Sequence, residues 1–426
     1  MSPRAREDRA FLEAIRESPD EDAVRLVYAD WLEEQGDASR AEFIRVQCEL
    51  AHPSGKKERA ELERRERELL SANRAAWLGP LHKELPYSHC AFRRGFPEEL
   101  TVRPKVMVKM AEEFNARVPA GRVTLYGGFG DPAMQALMAC PCLGWIVGLK
   151  YEHPRVTDDG LEMVANSLNL PHLAELSIGF AEFTTNGIQA LAASPHRGAL
   201  RCLSLHRFAW NEATPPATAA ALATPGVRFR LRTLSLQGHE LGPAGAAVLA
   251  GTENLAEVKE LDLLLNGLPD EGVIALARSP YLRGLLSLVL QSNGLTAGAV
   301  RELAGSPVLD GIRNLNLGVN QIGDEGAQAL AACPRLADLE RLSLIKTALT
   351  DRGAEELAAS PYLSNLIDLE MRGNALTDRG SQALFESPYL QRLERISIGG
   401  LIVRDKIISQ RQRKQWQNRL GKGAQV

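Results

Sequence analysis

The sequence predicts an α/β fold, a solenoid of stacked strand–helix units behind a small helical domain. The deciding observation is self-similarity. The segments "TALTDRGAEELAASPYL" (347–363) and "NALTDRGSQALFESPYL" (374–390) share eleven of seventeen positions and begin 27 residues apart. Short apolar pairs keep the same 27-residue step through Leu234–Leu236, Leu261–Leu263, Leu288–Leu290, Leu315–Leu317, Leu342–Leu344, Leu369–Met371 and Ile396–Ile398. Leu203–Leu205 lies 31 residues before Leu234, so four residues are inserted there, and Leu176–Ile178 and Leu149–Tyr151 return to the step of 27. A fixed period of this size marks a stacked-repeat architecture. Inside each unit the apolar period changes from two to a helical one, while the front of the chain has helical spacing and no repeat.

At the front, "DRAFLEAIRESP" places Phe11, Leu12 and Ile15 on one side and ends at Pro19. "DEDAVRLVYADWLEEQGD" carries Val24, Val27, Tyr28, Trp31 and Leu32 at helical spacing, with Gly36 as a stop and Asp37 as the cap of the next helix, "SRAEFIRVQCELA". The charged stretch "KKERAELERRERELLSANRAAWL" predicts a long exposed helix leading to the array. The expected organisation is a helical domain and linker helix over 1–85, an array over 90–403 and a basic helical cap or tail over 404–426. Leu100–Val102 and Val123–Leu125 are weaker strand candidates that would add irregular repeats to the front of the array.

Each unit reads as one strand and one helix. In "LERLSLIKT", Leu339, Leu342 and Leu344 point inward, while Ser343 and Ile345 point outward. "LTDRGAEELAASP" then becomes helical, capped by Thr350 or Asp351 and stopped by Ser360-Pro361. The Gly353 position recurs as Gly160, Gly187, Gly245, Gly272, Gly326 and Gly380, with Ala299 as the exception. A larger side chain there would hold the helix off the strand layer. The residue before the proline is small in every copy: Ser194, Ser279, Ser306, Cys333, Ser360 and Ser387, joined by Cys140. Its members read as interchangeable small residues.

These units resemble a leucine-rich repeat of the ribonuclease-inhibitor-like class, LxxLxLxxN followed by a helix. Asn266, Asn293, Asn320 and Asn374 fill the asparagine position, while Thr347, His239, Phe208 and Ala181 replace it elsewhere. The resemblance implies a horseshoe with parallel strands on its concave face and helices on its convex face. Ten to twelve strands would give an arc of roughly 50 Å, wide enough for a small folded domain. It also implies a non-enzymatic protein-binding scaffold or regulator. Ahead of the array, "RLVYADWLEEQGD" resembles the N-terminal repeat-companion domain of planctomycete bacteria, carried by Tyr28, Ala29, Asp30, Trp31, Leu32, Gly36 and Asp37. That resemblance implies no biochemical activity.

Composition sets further bounds. The net charge of −3 offers no global case for nucleic acid or membrane. The charged start has no apolar signal region, and six cysteines in 426 residues do not make a disulfide framework, so the expected compartment is the cytoplasm. No apolar run reaches about 18 residues, which argues against a membrane helix. GxxxxGK[ST], HExxH and GxSxG are all absent. Cys140-Pro141-Cys142 lacks a second ligand pair, "YGGFGDP" lacks phosphate-loop spacing, and Ser204, His206 and His239 form no recognisable constellation. No catalytic, metal or cofactor residue is assigned.

A protein partner of unknown identity is expected on the outward strand positions. Asp262, Asn316, Arg341, Asp368, Glu370, Arg372 and Arg395 are the candidates on the concave face, and Phe208 and Trp210 are candidates in the inserted stretch. The alternative is nucleic-acid binding by the tail, which holds seven Lys/Arg against one acid between Arg404 and Lys422.

Overall fold

The computed structural model describes residues 3–52, 56–128, 130–141, 143–151, 155–195, 198–207, 215–224, 228–399 and 409–425. The chain forms two compact units, residues 1–181 with 194–200, and residues 182–193 with 201–426.

The first unit begins with four helices, α1 (Pro3–Glu17), α2 (Asp22–Glu34), α3 (Ala38–Ala51) and α4 (Lys56–Leu78). The apolar stripes of α1, α2 and α3 close a small core of Leu12, Ile15, Tyr28, Ala29, Leu32, Ala41, Ile44 and Cys48, completed by Phe96. Gly36 turns the chain with φ +86°, and the Asp37 side chain accepts the Arg40 N–H at 3.1 Å to cap α3. Helix α4 is laced on its exposed side by Arg59–Glu63 and Arg64–Glu68 pairs. The strands β1 (Cys90–Arg93), β2 (Phe96–Val102), β3 (Gly121–Leu125), β4 (Ile146–Tyr151) and β5 (Glu175–Ala181) follow. Both weak strand candidates are real strands, within β2 and β3. The β1–β2 pair is an antiparallel hairpin, and β2 to β5 pair in parallel.

The second unit carries β6 (Cys202–Arg207), β7 (Thr233–Ser235), β8 (Glu260–Asp262), β9 (Ser287–Val289), β10 (Asn314–Asn316), β11 (Arg341–Ser343), β12 (Asp368–Glu370), β13 (Arg395–Ser397) and β14 (Ala424–Gln425). All pair in parallel in chain order. Leu234, Leu261, Leu288, Leu315, Leu342, Leu369 and Ile396 stand directly opposite one another and are at most 2% exposed. Each such side chain contributes about 1.5–3 kcal/mol of burial, so the stacked aliphatic spine is the main source of cohesion.

Three polar ladders run beside the spine. In the first, Asn266, Asn293, Asn320 and Asn374 accept the backbone N–H of the equivalent residue one repeat earlier, at 2.8–3.2 Å, and donate to carbonyls of the earlier repeat. His239 substitutes for asparagine by placing Nε2 2.8 Å from the Leu205 carbonyl. In the second, Ser194, Ser279, Ser306, Ser360 and Ser387 donate to the helix carbonyl 29 residues earlier, and the Cys333 thiol does the same. The small residues before proline are therefore hydrogen-bond donors to the preceding helix's last turn, more than neutral spacers.

The third ladder corrects the reading of the glycine slot. Asp324 accepts the N–H and hydroxyl of Thr350 at 2.8 and 2.6 Å, and the Gly353 N–H at 3.0 Å. Asp131–Thr157 and Asp270–Thr296 repeat the arrangement. A Cβ on Gly353 would sit 2.6 Å from the Asp324 carboxylate of the neighbouring helix and 2.9 Å from Cδ2 of the buried Leu349 of its own repeat, so the nearest atoms belong to no strand. Asp378 accepts the Ser409 N–H at 2.7 Å and so docks the C-terminal helix Gln410–Leu420 in the same manner. Trp416 of that helix is fully buried and donates to Ser381.

Candidate protein-binding face

A strand only three residues long exposes two side chains on the face opposite its buried leucine, and parallel pairing lines those side chains up. Glu260, Ser287, Asn314, Arg341, Asp368 and Arg395 form one column in register. Asp262, Val289, Asn316, Ser343, Glu370 and Ser397 form the next. Six of the seven strand-face candidates stand in these two columns. Arg372 is exposed two residues past Glu370.

The candidates differ in how firmly they are held. Arg395 donates to Asp368 Oδ2 through Nε and Nη2 at 3.0 and 2.9 Å. Glu370 accepts the Ser343 hydroxyl at 3.1 Å. Asp262 accepts from Gln237 at 2.6 Å and from the Leu264 N–H just past its own strand, and Asn316 donates to Gln291 at 3.0 Å. Arg341 stands apart: its one ion pair among the described residues is with the adjacent Glu340, at 4.0 Å. Arg372 makes no side-chain hydrogen bond or ion pair among the described residues. The alternating charges thus form one cross-strand pair, Asp368–Arg395, and leave two guanidiniums able to bond elsewhere. Exposed pairs contribute about 0–1 kcal/mol each, so the column is weakly committed to stability.

The turn after each strand adds residues that the period-2 reading passed over. Leu265, Ser292, Val319 and Lys346 directly precede the asparagine position and have φ of +52° to +59°. Leu265 and Val319 are 48% and 41% exposed. The visible signal was the occupancy of one slot by leucine, serine, valine, lysine and, as Gly373, glycine. At the front of the unit, Ser204 and Ser235 share His206 Nε2 at 2.7 and 3.1 Å. His239 is buried and held neutral, pushed down to about 3 by burial. Among the described residues no group of three metal-ligating side chains occurs, and the five described cysteines are free thiols. Phe208 and Trp210 lie outside the described residues, as do Arg404 and the rest of 400–408.

The sequence of residues 258–277 and 312–331 matches a family model described as a leucine-rich repeat. Both segments start two residues before a strand, β8 or β10, and end with the helix of the same unit, in phase with the spine above. The chain carries leucine-rich repeats. A solved structure agrees with the fold. A chain in the crystal structure of the Rad7 and Elc1 complex in yeast superposes with TM-score 0.53 over 89% of this chain and 94% of that one, at 16% identity. An internalin (inlF) from Listeria monocytogenes aligns over 68% of this chain and 77% of that one, at 19% identity and TM-score 0.42. No curated protein matches the sequence. The leucine-rich repeats account for the fold, and no catalytic family is indicated. No described helix is long and apolar enough to cross a membrane.

Proposed function

We propose that this chain is a non-enzymatic binding scaffold whose strand face holds a folded protein partner, with Arg341, Glu370 and Arg372 central to the contact and Asp262, Asn316, Asp368 and Arg395 around it. The observation that carries this reading is the pair of guanidiniums, Arg341 and Arg372, exposed beside Glu370 on a face whose leucines are wholly buried beneath. The charges are mixed in sign, which fits a protein surface better than a phosphate backbone. The yeast chain of similar fold was crystallised within a complex, of Rad7 and Elc1.

The tail behind the nucleic-acid alternative is partly committed to packing, while its Arg411 and Lys414 stay exposed. Arg419 donates inward to the Phe385 and Leu390 carbonyls, and Gln412 and Trp416 are buried. Capture from native lysate compares the parent with Arg341→Ala/Glu370→Ala/Arg372→Ala. Loss of one specific captured protein, with the thermal midpoint unchanged, supports the patch. Unchanged capture rejects it.

A further inference from the structure

The first unit holds a pocket of about 380 Å³, a volume typical of small-ligand sites. Its walls come from α1, α2, α3, α4, β2 and the helix Ala111–Arg117, with Tyr28, Trp31, Trp77 and Arg40 among them. Tyr28 and Trp31 stack with ring centroids 5.7 Å apart and planes 17° apart, and both rings line the pocket.

Arg40 is the anomaly. It is 8% exposed, and its guanidinium lies 4.7 Å from the Trp77 ring, 5.2 Å from Phe96 and 5.7 Å from Phe92. Ring faces attract the cation but leave its N–H groups without acceptors. No described oxygen accepts from that guanidinium, and Nη1 is buried without a partner. The unit's other buried arginines each leave Nε without a hydrogen bond but have acceptors at their Nη atoms. Arg25 pairs with Glu98 at 2.6 Å, and Arg74 donates to the Leu85 carbonyl at 2.6 Å. The two carboxylates lining the same pocket have their own work, since Asp8 accepts the Tyr28 hydroxyl at 2.6 Å and Asp37 caps α3. Burial pushes Arg40 down to about 10, which still leaves it charged at neutral pH. A buried cation lacking its acceptor, open to an aromatic pocket, is a binding group without its ligand.

We propose that this pocket takes a monocarboxylate with an apolar or aromatic body, the carboxylate received by Arg40 and the body laid against Tyr28, Trp31 and Trp77. The planar guanidinium fork matches a carboxylate, and the other charged residues of the lining, Arg4 and Arg117 against Asp8 and Asp37, balance, so Arg40 leaves one positive charge for a monoanion. The ligand is either a free acid or the C-terminal residue of a peptide. This site is separate from the strand face.

Calorimetric titration of the full chain tests it, with 3-phenylpropionate, its amide, and a short peptide ending in phenylalanine with either a free or an amidated terminus. Saturable binding of an acid, at least about tenfold tighter than its amide, is expected. Arg40→Lys, which keeps the charge and loses the fork, weakens it by about tenfold. Ala116→Trp, at the exposed rim, blocks entry without lowering the thermal midpoint, which separates occupancy from folding. The tighter of the two acids identifies the source, free or chain end. Absence of saturation up to about 10 mM, equal binding of acid and amide, or unimpaired binding by Ala116→Trp overturns the proposal.

Discussion

The Asp351 carboxylate receives Thr377 twice, through the backbone N–H at 2.7 Å and through the hydroxyl, and takes the Gly380 N–H at 3.0 Å as well. One side chain therefore caps the helix of the following repeat. Asp351→Ala should lower unfolding free energy by about 1.5–3 kcal/mol, the range for a charged acceptor lost from N–H donors. Gly380→Ala attacks the same staple from the other side, because its Cβ would lie 2.6 Å from Asp351 Oδ1. The double variant should cost less than the two single changes together. Urea unfolding of the four proteins checks both statements, and strict additivity would refute the shared staple.

His239 makes the second unit acid-sensitive. Its folded pKa is about 3, lowered chiefly by burial, against an ordinary value of 6.5. The unfolded chain therefore takes the proton first as pH falls. Stability is intact above about 6.5 and declines toward about 3, with about 2 kcal/mol lost by pH 5. His239→Asn restores the residue used by neighbouring repeats and should flatten that decline. Urea midpoints from pH 7.5 to 4.5, taken as the difference between variant and parent, measure it.

Glu98 works in the opposite sense within the first unit. Burial raises its pKa from 4.5 to about 7, outweighing the paired Arg25. The folded state prefers the protonated acid, so its contribution is complete below about 4.5 and is lost as pH rises through about 7. Glu98→Gln should remove that slope. Glu98→Ala should be far worse, by about 3–5 kcal/mol at neutral pH, because it strands the fully buried Arg25. Equal stability of the two variants at pH 7 would contradict this account.

Val319 stores backbone strain on the surface. A β-branched residue at φ +54°, 41% exposed, gains little from burial to offset its conformation. Val319→Gly should raise stability by up to about 1 kcal/mol, since relief of the left-handed strain exceeds the added flexibility of the unfolded chain. A lower urea midpoint in the variant would show that the valine side chain is packed and not strained.

Much of this was legible because repetition makes a sequence its own comparison set. Leu342 and Leu369 announce the same strand, and Asn293 and Asn320 the same turn, without any second protein. The β1–β2 hairpin was not legible, because Cys90–Arg93 belongs to no repeat. The role of Asp324 was half legible: a cap was visible, but the helix it caps lies one unit further on. Arg40 gave no signal, since an arginine beside a helix start reads as solvated until Trp77 and Phe96 arrive from distant parts of the chain.

By itself the sequence determined the strand–helix unit, its period, the buried leucine spine and the columns that face outward. Those follow from local periodicity and from steps of fixed length along the chain. Only the tertiary structure decided which charges in a column pair, which carboxylate caps which helix, and that Arg40 is enclosed by rings with no acceptor. Such properties depend on side chains far apart in the chain meeting within a few ångströms, a distance that spacing along the chain does not encode.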